Sequence, residues 1–599
     1  MNFSISSLNK ITSMKSYFIL LLLILFLTTS LIITFSNNFI KPFTLSSFIN
    51  NKVFAQYAIA PTSPSGPTIN DPNLKAQLVF PPSTKGSTSM AFLGPNDILV
   101  LEKNSGKVNR IIDGKMLPKP VLDVAVANKI ERGLLGIAVA PSLSSDGKKY
   151  VFLYYTQAGG KTDGDEFRGA APPEGNMVYR YEFSKDKLIN PEPLLQLPAN
   201  PGVTGRPDHN GGKLAIGPDG NVYAVIGEVG GHQTQATNII NGPSPDGTGG
   251  ILRVTQNGKS VPNSPFGDEP PLSYYFAYGV RNSFGIAFDP VSGKLWDTEN
   301  GPDYGDEINL VEPGFNSGWA LIQGYAKDSH LGHTNPSDLV ELSNNAKYSD
   351  PAFEWADPVG PTAITFLNSK NLGPQYQNDM FVGDINNGNI YHFKLTADRT
   401  KLLYPNGQPI ENVAITSSQI PLLRFGQGFG GITDLQTGPD GFLYILVNNG
   451  AIFRIVPASF AAANPTSYTI TTNTAANQPE GKEQQSKQQH SDIPSTNEQS
   501  SSFNSKNKVT IVGVRGLQSY EPNPINIKVG DTITWINADV IAHTVTSGKD
   551  YNPITSGKMF SSGSIISNGI YNLKFAKPGV FDYFCLFHPD MKGQIVVSR

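Results

Sequence analysis

Apolar and polar residues alternate over short stretches along most of the chain, and turns rich in Gly, Pro, Asp or Asn separate these stretches. Six segments share one plan, in which an alternating strand, a turn and a second strand follow one another. In LAIGPDGNVYAVIG and LQTGPDGFLYILV the turn is Pro-Asp-Gly between β-branched and aromatic runs, which is typical of β-hairpins. The six segments span residues 90–111, 137–156, 214–227, 286–299, 364–393 and 435–455.

Similar units that cannot bury their apolar faces alone predict a repeat architecture. The units are longer than most solenoid repeats, and they suit four-stranded blades that are joined by long loops. We therefore predict an all-β protein in which residues 74–458 form a six-bladed β-propeller.

The pattern changes after the sixth unit. Residues 459–507 are largely Gln, Ser, Asn, Thr and Lys with little to bury, which predicts a disordered linker. Alternating strands return at VTIVGV, INIKVGDTITWIN, YNLKFAKPG and QIVVS. These strands predict a second and smaller domain, a β-sandwich over residues 508–599.

The N-terminus carries an export pattern. Lys10 and Lys15 precede an uncharged apolar run over residues 17–35, which is long enough for a signal core or a marginal membrane-spanning helix. A small-residue cleavage motif, Val53-Phe54-Ala55, lies well beyond that run. Residues 1–59 are therefore predicted to be a signal peptide or a membrane anchor, and the rest of the chain to be extracytoplasmic, either tethered or secreted.

The net charge and the cysteine content exclude some functions and structural features. The net charge of −3 over 599 residues gives no basic field, so nucleic acid is not expected as a partner. The sequence contains one cysteine, Cys585, so an intramolecular disulfide is excluded. A lone thiol is commonly an inert buried residue, but the neighbours of Cys585 indicate a metal ligand.

Four metal-binding side chains stand at two places in the sandwich. His543 follows one strand, and Cys585, His588 and Met591 follow another with two residues between each pair. A thiolate, two imidazoles and a thioether form a soft ligand set that suits copper, and this is the ligand set of blue-copper electron carriers. We predict one type-1 copper ion. Zinc is the competing interpretation, but zinc sites prefer several thiolates or imidazoles and rarely use Met.

The sandwich resembles the plastocyanin/amicyanin family of cupredoxins in DTITWINADVIAHTV and GVFDYFCLFHPDMKGQIVV. The short gap between His588 and Met591 is nearer to amicyanin than to plant plastocyanin. The resemblance implies an electron carrier in which the position of His588 is the more exposed ligand. Multicopper oxidases carry His-x-His pairs, and this sequence has none, so we do not expect oxygen reduction by this domain. Copper storage or delivery remains a weaker alternative.

The propeller contains polar segments that a scaffold does not need. GRPDHNGGK leads into the strand at residue 214, YGVRN precedes another strand, and TENGPDYGDE is acidic and rich in turns. A His at the axial mouth can act as a general base, an Arg can stabilise an oxyanion, and carbonyls on an acidic turn suit calcium. Each residue could equally be structural when it is taken alone.

Together these segments resemble the soluble aldose sugar dehydrogenases, the glucose/sorbosone dehydrogenase family of six-bladed propellers that use pyrroloquinoline quinone (PQQ). The resemblance rests on ERGLLGIAVAP, DHNGGKLAIGPDGNVY, AYGVRNSFGIAFDP and ENGPDYGDEINLVEPGFNSGW. It implies that His209 removes the proton of the sugar hydroxyl and that Glu228 orients His209. It also implies that Arg281 and Asn282 contact the cofactor or substrate.

The same resemblance implies a calcium ion, held by the backbone carbonyls of Gly301 and Pro302, that polarises the quinone. The chain also departs from the family. The family Lys of the fifth repeat falls nearest Asn386, Gly431 and Thr433 replace the Arg pair of the sixth repeat, and Glu131 replaces a Gln. Because PQQ carries three carboxylates, its pocket needs cations. Two candidates to compensate are Arg206 and Arg424.

Two functions follow from these patterns. In the first, the propeller oxidises an aldose or related alcohol with PQQ, and the copper domain accepts the electrons and passes them to a redox partner at the membrane. In the second, the propeller has lost its cofactor and binds a glycan or a protein, which places the copper carrier beside that partner.

Overall fold

A computed structural model gives the architecture. It describes residues 63, 66–83, 86–168, 171–199, 206–404, 407–410, 415–416, 419–464, 507–513, 518–538, 543–549, 559–562, 565, 570–585 and 591–599. The N-terminal segment over residues 1–59 and most of the linker over residues 459–507 lie outside these ranges. In the described part, no helix combines the length and the apolar character that are needed to span a bilayer.

The first half of the larger domain forms three sheets in chain order, and a two-residue strand, β1 (Thr68–Ile69), precedes them. The first sheet contains β3 (Ser87–Gly94), β4 (Asp97–Glu102), β5 (Lys107–Ile112), β6 (Lys115–Met116) and β7 (Leu122–Asp123). The second contains β8 (Leu134–Val139), β9 (Lys149–Gln157), β10 (Gly175–Ser184) and β11 (Lys187–Leu197). The third contains β12 (Leu214–Ile216), β13 (Val222–Ile226), β14 (Gly250–Val254) and β15 (Tyr275–Tyr278), extended by β19 (Phe315–Asn316) and β20 (Lys347–Tyr348).

Three further sheets complete this domain. The fourth contains β16 (Ser283–Phe288), β17 (Leu295–Glu299), β18 (Asp306–Val311) and β21 (Phe353–Trp355). The fifth contains β22 (Pro361–Phe366), β23 (Met380–Asp384), β24 (Ile390–Leu395), β25 (Leu402–Leu403) and β26 (Arg424–Gln427), with β1 on its outer edge. The sixth contains β27 (Ile432–Thr437), β28 (Leu443–Val447), β29 (Ile452–Pro457) and β2 (Leu74–Phe80).

The first strands of the six sheets form a closed ring. Strands β3, β8, β12, β16, β22 and β27 contact one another in this order, and β27 contacts β3. This arrangement is a six-bladed propeller with its first strands around the axis, which confirms the predicted fold class. The two predicted Pro-Asp-Gly hairpins are present as β12–β13 and β27–β28, and Gly220 and Gly441 adopt φ +75°, a conformation that glycine tolerates best.

The ring is closed by a strand from the other end of the domain. Strand β2 pairs antiparallel with β29, so that the sixth blade contains chain from both ends of the propeller. Leu74 lies opposite Pro457, and Phe80 lies opposite Ile452. Beyond β29 the chain continues as a short helix, Ala458–Ala463, so the first residues of the predicted linker are helical. Its Phe460 packs edge-to-face against Phe442.

Helical structure in the described part of the propeller is otherwise confined to single turns. One is the α-helical turn Ile420–Leu423. The remainder are 3-10 turns at Asp165–Arg168, Gln235–Thr237, Leu272–Tyr274, Ala326–Asp328, Pro336–Asp338 and Pro374–Tyr376.

A buried ion pair joins the fourth and fifth blades. Arg399 donates to both carboxylate oxygens of Asp289, at 2.7 and 2.9 Å, and to the carbonyl oxygen of Asn378 at 2.6 Å. Because hydrogen bonds to buried charged groups contribute about 1.5–3 kcal/mol each, we expect Arg399→Met to lower the free energy of unfolding of the propeller by about that much.

The matched control for this prediction is Lys327→Met. Lys327 and Asp328 form an exposed pair at 3.7 Å, which contributes about 0–1 kcal/mol. Denaturant unfolding followed by tryptophan fluorescence reports mainly on the propeller, which holds Trp296, Trp319 and Trp355 of the four tryptophans. Equal transition midpoints for the two variants would contradict the assigned role of Arg399.

The C-terminal domain is a sandwich of two four-stranded sheets. One sheet has the order β31 (Tyr520–Glu521), β30 (Lys508–Ile511), β33 (Thr532–Asn537) and β35 (Ile570–Lys574). The other has the order β32 (Ile525–Lys528), β37 (Lys592–Ser598), β36 (Gly579–Phe584) and β34 (Thr546–Ser547). Alternate residues of these strands face a core that includes Trp535, Tyr583 and Cys585. The predicted cupredoxin fold is therefore confirmed.

Candidate active site and copper site

A cavity of about 230 Å³ lies at the axis of the propeller, and residues of all six blades line it. His209 and Arg281 belong to the loops that enter the innermost strands β12 and β16. The second strand of a blade ends at the same place, because Lys103, Asn300, Ile385 and Asn448 are each the first residue after such a strand. The fold thus brings together side chains from distant parts of the sequence.

Two glycine-containing motifs meet beside the cavity. A Cβ atom on Gly136 would lie 1.9 Å from the carbonyl oxygen of Gly212, so only glycine allows the second and third blades to approach this closely. Gly136 belongs to ERGLLG and Gly212 to DHNGGK, two of the four motifs that carry the sequence resemblance. Their contact places Glu131 next to His209.

His209 is held on several sides and has a left-handed backbone, with φ 57°. Its Nδ1 atom hydrogen-bonds to the Glu228 carboxylate, which also accepts the backbone N–H of Gly231. Its own backbone N–H donates to Glu131 at 2.5 Å. A carboxylate on Nδ1 orients the imidazole and favours the tautomer that carries its proton on that nitrogen. The structure thus brings Glu228 into contact with His209, and the catalytic role of this pair stays a prediction.

Arg281 is buried beside His209. Its Nη1 donates to the carbonyl oxygens of Asn300 at 2.7 Å and Gly301 at 2.9 Å, and its backbone N–H donates to Glu299 at 2.6 Å. The guanidinium also lies over the ring of Trp319, 5.2 Å from its centroid. Burial raises the pKa of Glu299 to about 7. The position of Arg281 is thus determined by four separate contacts.

Four cationic side chains line the cavity: Lys103, Arg206, Lys213 and Arg281. Lys103 donates to the backbone carbonyls of Asn128, Ile130 and Arg132, and burial lowers its pKa to about 8. Lys213 is paired with Asp434, and Arg206 with Asp208 at 2.9 Å. The cavity wall therefore holds four cations, two of which are paired with carboxylates, and the fifth and sixth blades contribute Thr362, Ile385, Thr433 and Asn448 instead of cations.

The structure separates the two arginines that we named as substitutes for the missing cations. Arg206 lines the axial cavity, whereas Arg424 lines a different cavity of about 530 Å³ together with Asp357, Asn387 and Asn389. Thr433 is a wall residue of the axial cavity, but Asn386 is not among its lining residues. Sequence reasoning missed Lys103 and Lys213, which supply charge from the first and third blades.

The predicted calcium ligands, Gly301 and Pro302, directly follow the wall residue Asn300. The carbonyl oxygen of Gly301 accepts a hydrogen bond from Arg281, and the backbone N–H of Gly301 donates to Asp306 at 2.9 Å. Asp306 also accepts the N–H groups of Val359 and Gly360, and burial raises its pKa to about 6. Asp306 therefore fixes the turn that presents Gly301 and Pro302. The role of these two carbonyls as calcium ligands stays a prediction.

In the C-terminal sandwich, three of the four predicted copper ligands are buried together. The Nδ1 atom of His543 lies 3.9 Å from the Sγ atom of Cys585, and the N–H of Cys585 donates to the carbonyl of Met591 at 3.0 Å. Metal bonds of about 2.3 Å to sulfur and 2.0 Å to nitrogen, as in zinc sites, allow one ion to bond both atoms at this separation. His588 lies outside the described residues.

Hydrogen bonds around the thiol position it further. The N–H of Thr544 donates to the Sγ atom of Cys585 at 3.2 Å, and the Tyr520 hydroxyl donates to the carbonyl of Thr544 at 2.6 Å. His543 exchanges both backbone hydrogen bonds with Ile565, at 3.0 and 2.7 Å. Donors aimed at sulfur stabilise a thiolate, which is the form that binds a metal.

These features define a class of protein: an oxidoreductase whose propeller has a cationic axial site and which carries a cupredoxin electron carrier. Residues 85–454 match the family model described as Glucose / Sorbosone dehydrogenase, and the chain belongs to this family. Residues 507–598 match the model described as Copper binding proteins, plastocyanin/azurin family. Both resemblances that the sequence motifs indicated are confirmed.

Individual relatives match the two parts separately. The aldose sugar dehydrogenase YliI of Escherichia coli is 27% identical over 376 residues, which cover 62% of this chain and 89% of that protein. Quinoprotein glucose dehydrogenase B of Acinetobacter calcoaceticus is 32% identical over 335 residues, 53% of this chain and 66% of that protein. Amicyanin-alpha of Methylorubrum extorquens is 36% identical over 81 residues, 13% of this chain and 64% of that protein.

Proposed function

We propose that the propeller oxidises an aldose or related alcohol outside the cytoplasm with PQQ as cofactor, and that the copper domain receives the electrons. The observation that carries this proposal is the His209–Glu228 pair, which faces a cationic axial cavity next to Arg281. A base, an oriented guanidinium and further cations at one cavity suit proton abstraction from a sugar hydroxyl beside an anionic cofactor.

The wall of the cavity fits a polar, anionic cofactor. Within the described residues, both side-chain polar atoms of Asn300 and the Oδ1 atom of Asn282 are buried without a hydrogen-bond partner. Buried polar groups without partners cost free energy, so such atoms at a cavity wall indicate a polar ligand. Lys103, Arg206 and Arg281 supply cations for carboxylates on that ligand. We therefore assign these residues, with Asn282, as the PQQ-binding wall.

Three residues of this chain have separate roles in the proposed oxidation of the sugar. Glu228 holds the Nδ1–H of His209, so that Nε2 of His209 takes the proton of the sugar hydroxyl. Arg281 is oriented by the carbonyls of Asn300 and Gly301, and it stabilises negative charge that develops on oxygen. When it is bound, PQQ supplies the acceptor for the hydride of the sugar carbon.

Calcium would be held by the carbonyls of Gly301 and Pro302. A carbonyl oxygen has two lone pairs, so Gly301 can accept from Arg281 and still face a cation. Oxygen ligands on a turn fixed by a buried carboxylate suit calcium, which takes carbonyl oxygens readily.

In the copper domain, His543, Cys585, His588 and Met591 would hold one ion. Copper in this ligand set supplies one-electron chemistry. The predicted linker has a root-mean-square reach of roughly 35–40 Å, which raises the effective concentration of the two sites for each other. We propose that a redox partner at the membrane then takes the electrons, and that residues 1–59 direct export.

The second candidate function is a propeller that binds a glycan or protein without catalysis. The walls contributed by the fifth and sixth blades favour it, because Thr433 and Ile385 stand there without a cation among the lining residues of the described propeller. In that case the cavity would bind a partner and position the copper carrier.

One experiment separates the two candidates. Full-length protein is loaded with Cu²⁺, PQQ and Ca²⁺, and the blue absorption of the copper is followed after glucose is added. We expect bleaching that requires PQQ, because reduction of the copper depends on sugar oxidation in the propeller. Persistent colour with a panel of aldoses and alcohols, despite bound PQQ, would contradict the enzyme and favour the binding module.

A further inference from the structure

Glu131 is a carboxyl group in the wall of the axial cavity that the proposed chemistry does not use. It lies in the loop before β8, and it accepts the backbone N–H of His209 at 2.5 Å and the Asn282 amide at 3.3 and 3.4 Å. Both partners are neutral groups, so neither one balances a negative charge on Glu131. By contrast, the other wall carboxylate, Asp208, is paired with Arg206 at 2.9 Å.

Charged groups reach Glu131 from three neighbouring blades. Asp208 and His209 approach from the third blade, Arg281 from the fourth and Lys103 from the first. Burial is the largest influence on its carboxyl and raises the pKa of Glu131, and Asp208 raises it further. His209 and Arg281 act in the opposite direction. The remaining wall cations, Arg206 and Lys213, face carboxylates of their own.

We propose that Glu131 takes up one proton when the anionic cofactor binds in the axial cavity, so that cofactor affinity falls as pH rises. This inference rests on the proposed function, in which PQQ with its three carboxylates occupies the cavity. An ionised Glu131 would face those carboxylates in a space of low dielectric, where like charges repel strongly. Protonation from solvent removes that repulsion, and burial already favours the neutral form.

The neutral carboxyl would also gain a function. It keeps an oxygen to accept the His209 N–H, and its O–H becomes a donor toward the ligand or a neighbouring acceptor. Glu131 would then act as a positioning residue. It holds the backbone of His209, and only its neutral form allows the anionic cofactor to bind well. It would not itself take the proton of the substrate.

The proposal has a quantitative signature. Where Glu131 is ionised in the free protein and neutral in the complex, the Kd for PQQ rises roughly tenfold per pH unit, since one proton is linked to binding. Below the pKa of Glu131 in the free protein the group is neutral in both states, and this contribution to the pH dependence disappears.

The test is isothermal titration of PQQ into full-length protein with calcium, at several pH values and in buffers with different ionisation enthalpies. The dependence of the heat on the buffer counts the protons that are taken up. We expect Glu131→Gln to take up close to one proton fewer than wild type and to lose most of the pH dependence of Kd. Glu312→Gln is the matched control, because Glu312 is half exposed and pairs only with Lys294 on the surface.

An infrared difference spectrum of the wild type on PQQ binding gives a second readout that does not need the variant to fold. A band of a newly protonated carboxyl group is expected in the wild type, and its absence would overturn this inference; Glu131→Gln, where it folds, should lack that band. Equal proton uptake by wild type and Glu131→Gln would overturn this inference and leave the proposed function intact. Failure of the wild type to bind PQQ would overturn the proposed function, and this inference with it.

Discussion

Replacement of His209 by Gln is expected to lower kcat for aldose oxidation by roughly 10²- to 10⁴-fold, the usual contribution of a positioned general base. The amide can occupy the space of the imidazole next to Glu228, but it cannot take the proton of the hydroxyl. The rate is measured with a soluble dye as electron acceptor, so that the copper domain does not limit it. PQQ binding should change little, because the cations of the cavity remain.

His392→Gln is the matched control for this variant. His392 also pairs with a carboxylate, Asp379, at 2.8 Å, but it lies on the outer strand β24, away from the axial cavity. Its activity should equal that of the wild type. If His209→Gln retained the wild-type rate with PQQ bound, the assignment of the base would be wrong.

The second large effect concerns the copper site. Cys585→Ser should remove the blue absorption completely, because that colour requires a thiolate bound to Cu²⁺. It should also abolish electron transfer from the propeller to copper, while sugar oxidation with a soluble dye continues at the wild-type rate. Visible absorption of the copper-loaded protein and stopped-flow reduction by glucose provide the two measurements.

Wild-type protein loaded with zinc is the control for this prediction. Zinc has a filled d shell and no redox chemistry, so the same ligands should give a colourless and redox-inert domain. A Cys585→Ser protein that keeps the colour of the wild type would exclude Cys585 as a ligand.

The sequence was sufficient for the local parts of both sites. Cys585 and Met591 stand six residues apart, directly after β36 and directly before its partner β37, so their spacing predicts a shared site. The hairpins of the propeller were predictable for the same reason, because turn chemistry and strand alternation act over a few residues. The six units predicted a six-bladed propeller, and the first strands of the six blades form the corresponding ring.

The cavity wall was harder to predict, because its members meet only through the blade arrangement. Lys103 follows β4 in a stretch with no motif, and only its place after the second strand of a blade brings it to the axis. Arg424 shows that a cation at another position in a blade does not reach the axial cavity. It begins β26, the outer fourth strand of its blade, and therefore lines a different cavity, whereas Arg206 precedes an innermost strand.

The helix Ala458–Ala463 was not predicted from the sequence, for a different reason. It follows the last strand of the propeller without an alternating apolar pattern, and we assigned most of it to the linker. Alanine-rich sequence has high helix propensity, and the contact of Phe460 with Phe442 adds packing that composition does not reveal.

Because β2 pairs with β29, the sixth blade cannot be completed until nearly the whole propeller has been synthesised. Strand β2 leaves the ribosome early, and its partner follows only after five further blades have been made. At about 5–20 residues per second, that interval is on the order of 20–75 s. Throughout it, an apolar strand has an unpaired edge, which is a template for wrong pairing between chains. Protection of the nascent chain by chaperones during this interval would therefore govern the yield of folded protein.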